Sequence, residues 1–430
     1  MSKNIRLYYL YRALSCAHVF KPFTYFFAIS RGLSMFQFML LYTIFSSAVI
    51  LLEVPTGAWA DRLGRRWSMA LGAVLMAFAS IGYLLAHSFA VFALFEFLFA
   101  AGLTLTSGAD SAFLFDMLRD AGREDEYRRL EGKASYSKHM GLAVAALVGG
   151  VLASIDLRLP YVVTGIVSLG AAASALGMTE PTAVTRMLHQ GAAAAPKRLD
   201  WAALMGYMKG AVRTISKSRG LLWAILYSAM LFVVIRMSDA LYQPVLKEQG
   251  FSFLAMGVVF AGLNVVASLW ARNVCRITGK LTDRVVLWSL PVLLIVSYLL
   301  LDTLGPVMSI LLMVAQYSVT GMYSPFTKSL INHRVEASSV RATVLSAESA
   351  VKRLAVAVVS PILGVLISVY SLRAGLYACA AVGVAGTIMV LLMRGAPKSE
   401  RVGRDVSLSP QVPSPAVSLG GECQSRVSSS

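Results

Sequence analysis

Twelve apolar runs, each of about 20 residues or more, occupy most of this 430-residue chain and leave little polar sequence from which to build a water-soluble domain. They lie near 10–30, 35–59, 68–87, 89–115, 134–155, 159–178, 220–243, 252–274, 285–302, 305–327, 347–368 and 373–393. Composition agrees: 57% of residues are hydrophobic and 14% charged, where a soluble domain carries about 25% charged residues. A segment that must satisfy its own backbone hydrogen bonds in lipid folds as a helix or closes into a barrel, and runs this long select the helix. The predicted fold class is an all-α membrane protein. The first run is too long, too aromatic and too poorly ended by small residues to be a cleaved signal, so it is read as a retained helix.

Short cytoplasmic loops collect Lys and Arg, which fixes the expected orientation. With both termini inside, only Arg31, Arg158, Lys247 and Arg373 fall in outer loops, and Lys21, Arg236, Lys352 and Arg353 fall within spans; the rest of the 39 basic residues gather on the cytoplasmic side. The formal charge of +17 therefore faces anionic headgroups, and a nucleic-acid partner is not expected. The expected location is the cell (inner or plasma) membrane. Cys16, Cys275, Cys379 and Cys423 form no C-x-x-C pair, and His18, His87, His139, His189 and His333 form no cluster. Neither disulfide, metal site nor other cofactor is inferred.

A polar stretch with Ala192–Ala195, Pro196 and seven basic residues divides the runs into two sets of six. The expected organisation is a bundle over 1–178, a cytoplasmic linker over 179–219, a second bundle over 220–393 and a disordered tail over 394–430. Within the linker, Leu199–Ile215 has near-helical apolar spacing and is read either as a helix on the membrane surface or as a partly ordered connector. The Ser- and Pro-rich composition after Met393 supports the disordered tail.

Between the second and third runs stands Gly57-Ala-Trp-Ala-Asp61-Arg62-Leu-Gly64-Arg65-Arg66-Trp67. A worn copy, Gly279-Lys-Leu-Thr-Asp283-Arg284, repeats the spacing of Gly57 to Arg62 222 positions later. A second echo joins the fifth and eleventh runs: Lys138 precedes Gly150, and Lys352 precedes Gly364, by twelve residues each. Both fit an internal duplication with a six-helix unit.

The Gly57–Trp67 loop resembles the one between helices 2 and 3 of the major facilitator superfamily, a family of secondary transporters. The resemblance extends over nearly the whole chain to residue 393. It implies twelve transmembrane helices in two pseudo-symmetric six-helix bundles that rock about a site near mid-membrane. By the same resemblance Asp61 anchors a cytoplasmic latch between the halves in the outward-open state, with Arg62, Arg65 and Arg66 as its partners or as lipid contacts. The chemistry suits the place, since helix ends carry unpaired amides and carbonyls with partial charge. Gly57 is expected to admit a helix of the opposite half, and Gly64 to supply the tight turn.

Antiporters of that superfamily carry a helix 5 pattern of glycine, three residues, Gly-Pro, two residues and Gly-Gly. Here Gly141, Gly149 and Gly150 keep the flanking spacing, with Ala145-Ala146 in place of Gly-Pro. Small residues still permit close packing, while the proline kink is lost.

Charges inside the hydrocarbon region are costly and mark the pathway. Lys21, three residues after His18 and beside Pro22, is expected to share a cavity-facing helix surface with His18 and Tyr25. Arg236 and Asp239, and Glu348 and Lys352, have spacings that allow self-neutralising pairs. Glu53 lies near the cytoplasmic mouth. Glu96 and Asp110 are about four turns apart and are expected on one face at opposite depths. Glu96, Asp110 and Asp239 are the candidates for proton coupling, in that order. With Gln316 and Tyr317, the expected substrate cavity comprises His18, Lys21, Tyr25, Arg236, Gln316 and Tyr317.

The chain is thus read as a monomeric secondary active transporter, with a small molecule, protons and the lipid bilayer as partners. Proton-coupled antiport and efflux of a drug-like or secondary-metabolite substrate is favoured, and the intramembrane cations point to an anionic, siderophore-like compound. Uptake of an organic anion or nutrient is the alternative; a transport-inactive receptor or scaffold is the alternative from another class. No nucleophile–base pair or phosphate-cradling loop stands out, so no enzyme is expected.

Overall fold

The computed structural model describes residues 2–182, 218–280, 283–332, 334 and 338–393, and all regular structure among them is helical. The expected tail and most of the linker, with its Leu199–Ile215 segment, lie outside the described residues. In chain order the α-helices are α1 Ser2–Leu14, α2 Thr24–Ser30, α3 Met35–Leu63, α4 Arg65–Gly82, α5 Phe89–Thr106, α6 Ala109–Asp120 and α7 Tyr127–Ile155. They continue as α8 Leu159–Leu176, α9 Arg219–Glu248, α10 Phe253–Lys280, α11 Asp283–Leu300, α12 Pro306–Asn332, α13 Ser338–Val369 and α14 Leu372–Leu392. Among the described residues ten helical stretches are long and apolar enough to cross a bilayer. The ninth run supplies the shorter apolar helix Val285–Leu300, and the first run is split. Leucines, valines and isoleucines such as Leu85, Ile155, Ile166, Val307 and Leu392 stand exposed on the outer faces, as lipid-facing side chains must.

The split corrects the expectation of one continuous first helix. After α1 the chain leaves helical geometry over Ser15–Phe20, makes a single 3₁₀ turn at Lys21–Phe23 and resumes as α2. Pro22 has no amide and restricts the residue before it, which explains why the break falls here. The amides of Val19 and Phe20 are instead taken by the Thr164 hydroxyl, at 3.0 and 3.3 Å. Gly149 leaves room for the Val19 carbonyl, which a Cβ there would meet at 2.4 Å.

The fourth run also breaks, at Ser107-Gly108 between α5 and α6, where Gly108 takes φ +85°. An L side chain rarely adopts that conformation.

The duplication is visible in which helices touch. In the first half α1 packs on α7 and α8, α3 on α5, and α4 on α8; in the second, α9 packs on α13 and α14, α10 on α12, and α11 on α14. The halves meet along two symmetry-related seams, α3 with α13 and α7 with α10. The glycines of the twelve-residue echo sit in these seams. A Cβ on Gly150 would lie 2.9 Å from the Gly257 Cα, and one on Gly364 would lie 3.0 Å from the Phe36 Cα. Both contacts lie toward the end of the molecule that carries the Gly32 and Gly250 turns, opposite the end that carries the Gly64 turn.

Candidate functional site

Between the halves lies a cavity of about 480 Å³, within the size range of small-molecule sites. Its first-half wall is aromatic, with Phe20, Tyr42, Phe45, Tyr83, Phe92, Phe99 and Tyr161. Phe20 stacks on Tyr161 with centroids 4.6 Å apart, and His18 meets the Phe99 ring edge-on at 5.1 Å. Five charged residues line the space: Lys21, Glu96, Lys138, Arg236 and Asp239.

Asp239 is the electrostatic centre. Its Oδ2 lies 3.0 Å from Lys21 Nζ, across the interface between halves, and 3.0 Å from Arg236 Nη1 on its own helix. The Tyr317 hydroxyl donates to Oδ1 at 3.4 Å. The spacing therefore led correctly to the Arg236–Asp239 pair, but not to the third member, Lys21. Arg236 is further held by the rings of Tyr42 and Phe45, at 5.4 and 5.7 Å to their centroids. One second-half side chain is thus gripped by α3 of the first half.

Glu96 has a different setting. The Tyr83 hydroxyl donates to it, and no ion pair to Glu96 is found among the described residues. Asp110 is far from this arrangement, at the start of α6, where it pairs with Arg12. The expectation that Glu96 and Asp110 share a helix face fails because the four-turn count assumes an unbroken helix, and Ser107-Gly108 interrupts it.

The remaining expected cavity residues divide. His18, Lys21, Arg236 and Tyr317 line the space, while Tyr25 and Gln316 do not. The break at Ser15–Phe20 removes the common face assumed for His18, Lys21 and Tyr25. Tyr25 packs edge-on against Phe38 at 5.5 Å, and its amide donates to Gln243 Oε1 at 2.9 Å. Gln316 is buried inside the second half, accepting from Ser238 at 3.0 Å and from Tyr242. Glu348 and Lys352 form their expected pair at 2.7 Å, with Ser228 donating to the carboxylate at 2.5 Å. Glu53 accepts from Ser349 of the opposite half at 3.2 Å.

At the Gly64 turn, where φ is +93°, the start of α4 is capped by a residue that sequence reasoning passed over. Glu180, just beyond α8, accepts from the amides of Arg65 and Arg66 at 2.6 and 3.1 Å. A carboxylate at a helix N-terminus satisfies orphan amides and meets the positive end of the dipole. Burial nevertheless dominates and raises the Glu180 carboxyl above its ordinary value, against the lowering by those two amides and the two arginines.

Arg65 lies 3.7 Å from Asp116, and Arg66 donates to the Met178 carbonyl at 2.9 Å. These partners all belong to the first half. Among the described residues no atom lies within 4 Å of a Cβ built on Gly57. Arg62 lies in the last turn of α3. The side chains of Asp61, Asp283 and Arg284 and the surroundings of Gly279 lie outside what the structure describes. In α7 the glycines meet backbone: Gly141 faces the Ala13 carbonyl, Gly149 that of Val19, and Gly150 meets Gly257.

The model of the Major Facilitator Superfamily matches residues 15–347. The chain belongs to this superfamily. It is accordingly a multi-pass membrane transporter of the secondary type and not an enzyme. Among solved structures, it is similar to the nucleoside transporter NupG at 14% identity and TM-score 0.72, covering 92% of this chain and 100% of that one. A bacterial homolog of the human lysosomal transporter Spinster, in an inward-facing and unoccupied conformation, matches at 18% identity and TM-score 0.69 over 91% of this superfamily member and 95% of its own chain. A D-xylose–proton symporter matches at 15% identity and TM-score 0.65, covering 91% and 95%. At these identities the likeness establishes the fold. No curated protein gives a match.

Thr164, Gln243, Glu180 and the aromatic wall were not foreseen. Ser107-Gly108 was open to discovery, since a Ser-Gly pair inside an apolar run is a turn signal. Lys138 and His139 also line the cavity; in the sequence Lys138 marks only the echo, and His139 belongs to no cluster.

Proposed function

We propose that this chain exports an anionic, amphipathic small molecule in exchange for protons, as a monomer in the cell membrane with both termini in the cytoplasm. The gathering of basic residues near the Gly64 end supports taking that end as the cytoplasmic one. The halves touch near the Gly32 end, and Lys138, His139 and Tyr323 extend the cavity lining toward the Gly64 end. This conformation is therefore read as inward-facing. The contacts made by Gly141, Gly149 and Gly150 support the antiporter-like reading of helix 5.

The observation that carries the proton-coupled reading is the contrast between the two cavity carboxylates. Asp239 is neutralised by Lys21 and Arg236, whereas Glu96 has a tyrosine hydroxyl as its partner. A carboxylate in an apolar wall, with no ion-pair partner among the described residues, is the group best placed to take up and release a proton. Asp110, paired outside the cavity, is assigned a structural role.

The test is flux in proteoliposomes under an imposed proton gradient, across a panel of anionic and cationic compounds. Glu96→Gln is expected to abolish gradient-driven transport while sparing substrate exchange, and Asp110→Asn to leave coupling intact. Full gradient-driven flux in Glu96→Gln would reject the assignment.

A further inference from the structure

The two walls of the cavity differ in chemistry, and the difference specifies a ligand. On the first-half side Phe20, Tyr83, Phe99 and Tyr161 present ring faces and edges. Such surfaces favour a flat aromatic partner through offset or edge-to-face contacts, beyond the area they bury. Where the halves meet, Lys21 of the first and Arg236 of the second converge on one oxygen of Asp239, both at 3.0 Å. Its other oxygen has the Tyr317 hydroxyl at 3.4 Å, long for a hydrogen bond between oxygens. Asp239 therefore serves the two cations as a one-point counter-ion, where a free carboxylate with two available oxygens could engage both. Of the five charged lining residues three are cations, so the space carries net positive charge even with both carboxylates ionised.

We infer that the cavity takes an aromatic carboxylate, whose anionic end replaces Asp239 between Lys21 and Arg236 while its ring lies against the first-half wall. This rests on the reading of the cavity as the transport site and narrows the substrate class. The exchange has a mechanical result. Lys21 and Asp239 belong to different halves, so their ion pair is a bond between the bundles near the closed end. A ligand that takes Lys21 away from Asp239 removes that bond only when bound, which is the differential interaction needed to bias one conformation over another.

The test is equilibrium binding to the purified full chain by calorimetry, with no gradient applied. The probes are 2-naphthoate, its amide 2-naphthamide, and cyclohexanecarboxylate. Saturable binding of 2-naphthoate is expected, at least ten-fold tighter than either comparison compound. Lys21→Ala and Arg236→Lys should each weaken it about ten-fold, the second variant keeping a cation for Tyr42 and Phe45. Asp239→Asn, which removes the internal competitor, should tighten it several-fold. Thermal unfolding of each variant identifies any that fails to fold, and Lys21→Met then serves in place of Lys21→Ala. Absence of naphthoate binding, equal binding of acid and amide, or unchanged affinity in Asp239→Asn would overturn the inference. Proton-coupled flux of another compound class, with any of those results, would leave the transport proposal standing and remove only this one.

Discussion

The hydroxyl of Thr164 accepts the backbone amides of both Val19 and Phe20, at 3.0 and 3.3 Å, while donating to the Pro160 carbonyl at 2.7 Å. One fully buried side chain thereby holds the first span open at its break. Replacing it with valine keeps the shape and strands two amides away from water, at a cost of about 1–3 kcal/mol for an unsatisfied buried group. Thr164→Val is expected to lower the unfolding midpoint of the purified protein, and Thr164→Ser to stay close to the parent. Equal midpoints for all three would mean the break is held by other contacts.

Gln243 stitches the halves at the same depth. Its side chain accepts from the Tyr25 amide at 2.9 Å and donates toward the Lys21 carbonyl and the Thr24 hydroxyl, both at 3.3 Å. Gln243→Leu removes these links and is expected to favour opening at the Gly32 end. Labelling of a cysteine introduced at Phe36 should then rise by roughly ten-fold, the change that about 1.4 kcal/mol produces in an equilibrium, within the range for lost buried hydrogen bonds. An unaltered labelling rate would rule out a bracing role.

Glu180 makes stability pH-dependent with a definite sign. Its carboxyl is raised above the ordinary 4.5 by burial, so over the window just above 4.5 the folded protein holds a proton that the unfolded chain has released. Stability therefore falls as pH rises through that window and levels off above the folded value. Glu180→Gln, which cannot ionise, is expected to lack this decline. Melting profiles of both proteins between pH 4 and pH 7, about the range around carboxylate titration, check it: parallel curves would refute the assignment.

A methyl group on Gly257 would sit 2.7 Å from the Gly150 Cα and 2.8 Å from the Ala146 carbonyl. Backbone on both sides leaves nowhere for it to go. Gly257→Ala should thus separate α7 from α10 and slow or redirect transport, with flux reduced several-fold and Phe36→Cys labelling increased. The same change at Gly262, where a Cβ would meet nothing within 4 Å, is the control expected to behave like the parent.

Sequence reasoning reached the helical membrane fold because bilayer thickness and backbone satisfaction leave few alternatives, and it reached the duplication because Gly57–Arg62 and Lys138–Gly150 both have copies. It did not reach the break in the first span. That break depends on Thr164, 145 residues away from Val19, and hydropathy averages over it. Arg236 and Asp239 were legible as neighbours on one helix, while Lys21 joins them only through packing between halves. Glu180 lay at the edge of a polar segment whose composition suggested a connector, so nothing marked it as the cap of α4. Gln316 misled for the opposite reason: a polar residue in a span was taken to face the cavity, and it bonds inward to Ser238 instead.

The described chain on either side of residues 183–217 is fastened. The Thr182 amide donates to Asp120, two residues after Glu180 grips the start of α4, and Ser218 receives the Leu221 amide at 3.3 Å as α9 begins. Asp120 and Glu180 thus tie the exit from α8 to the end of α6 and the start of α4, so the three helix ends on that face of the first bundle move as one block.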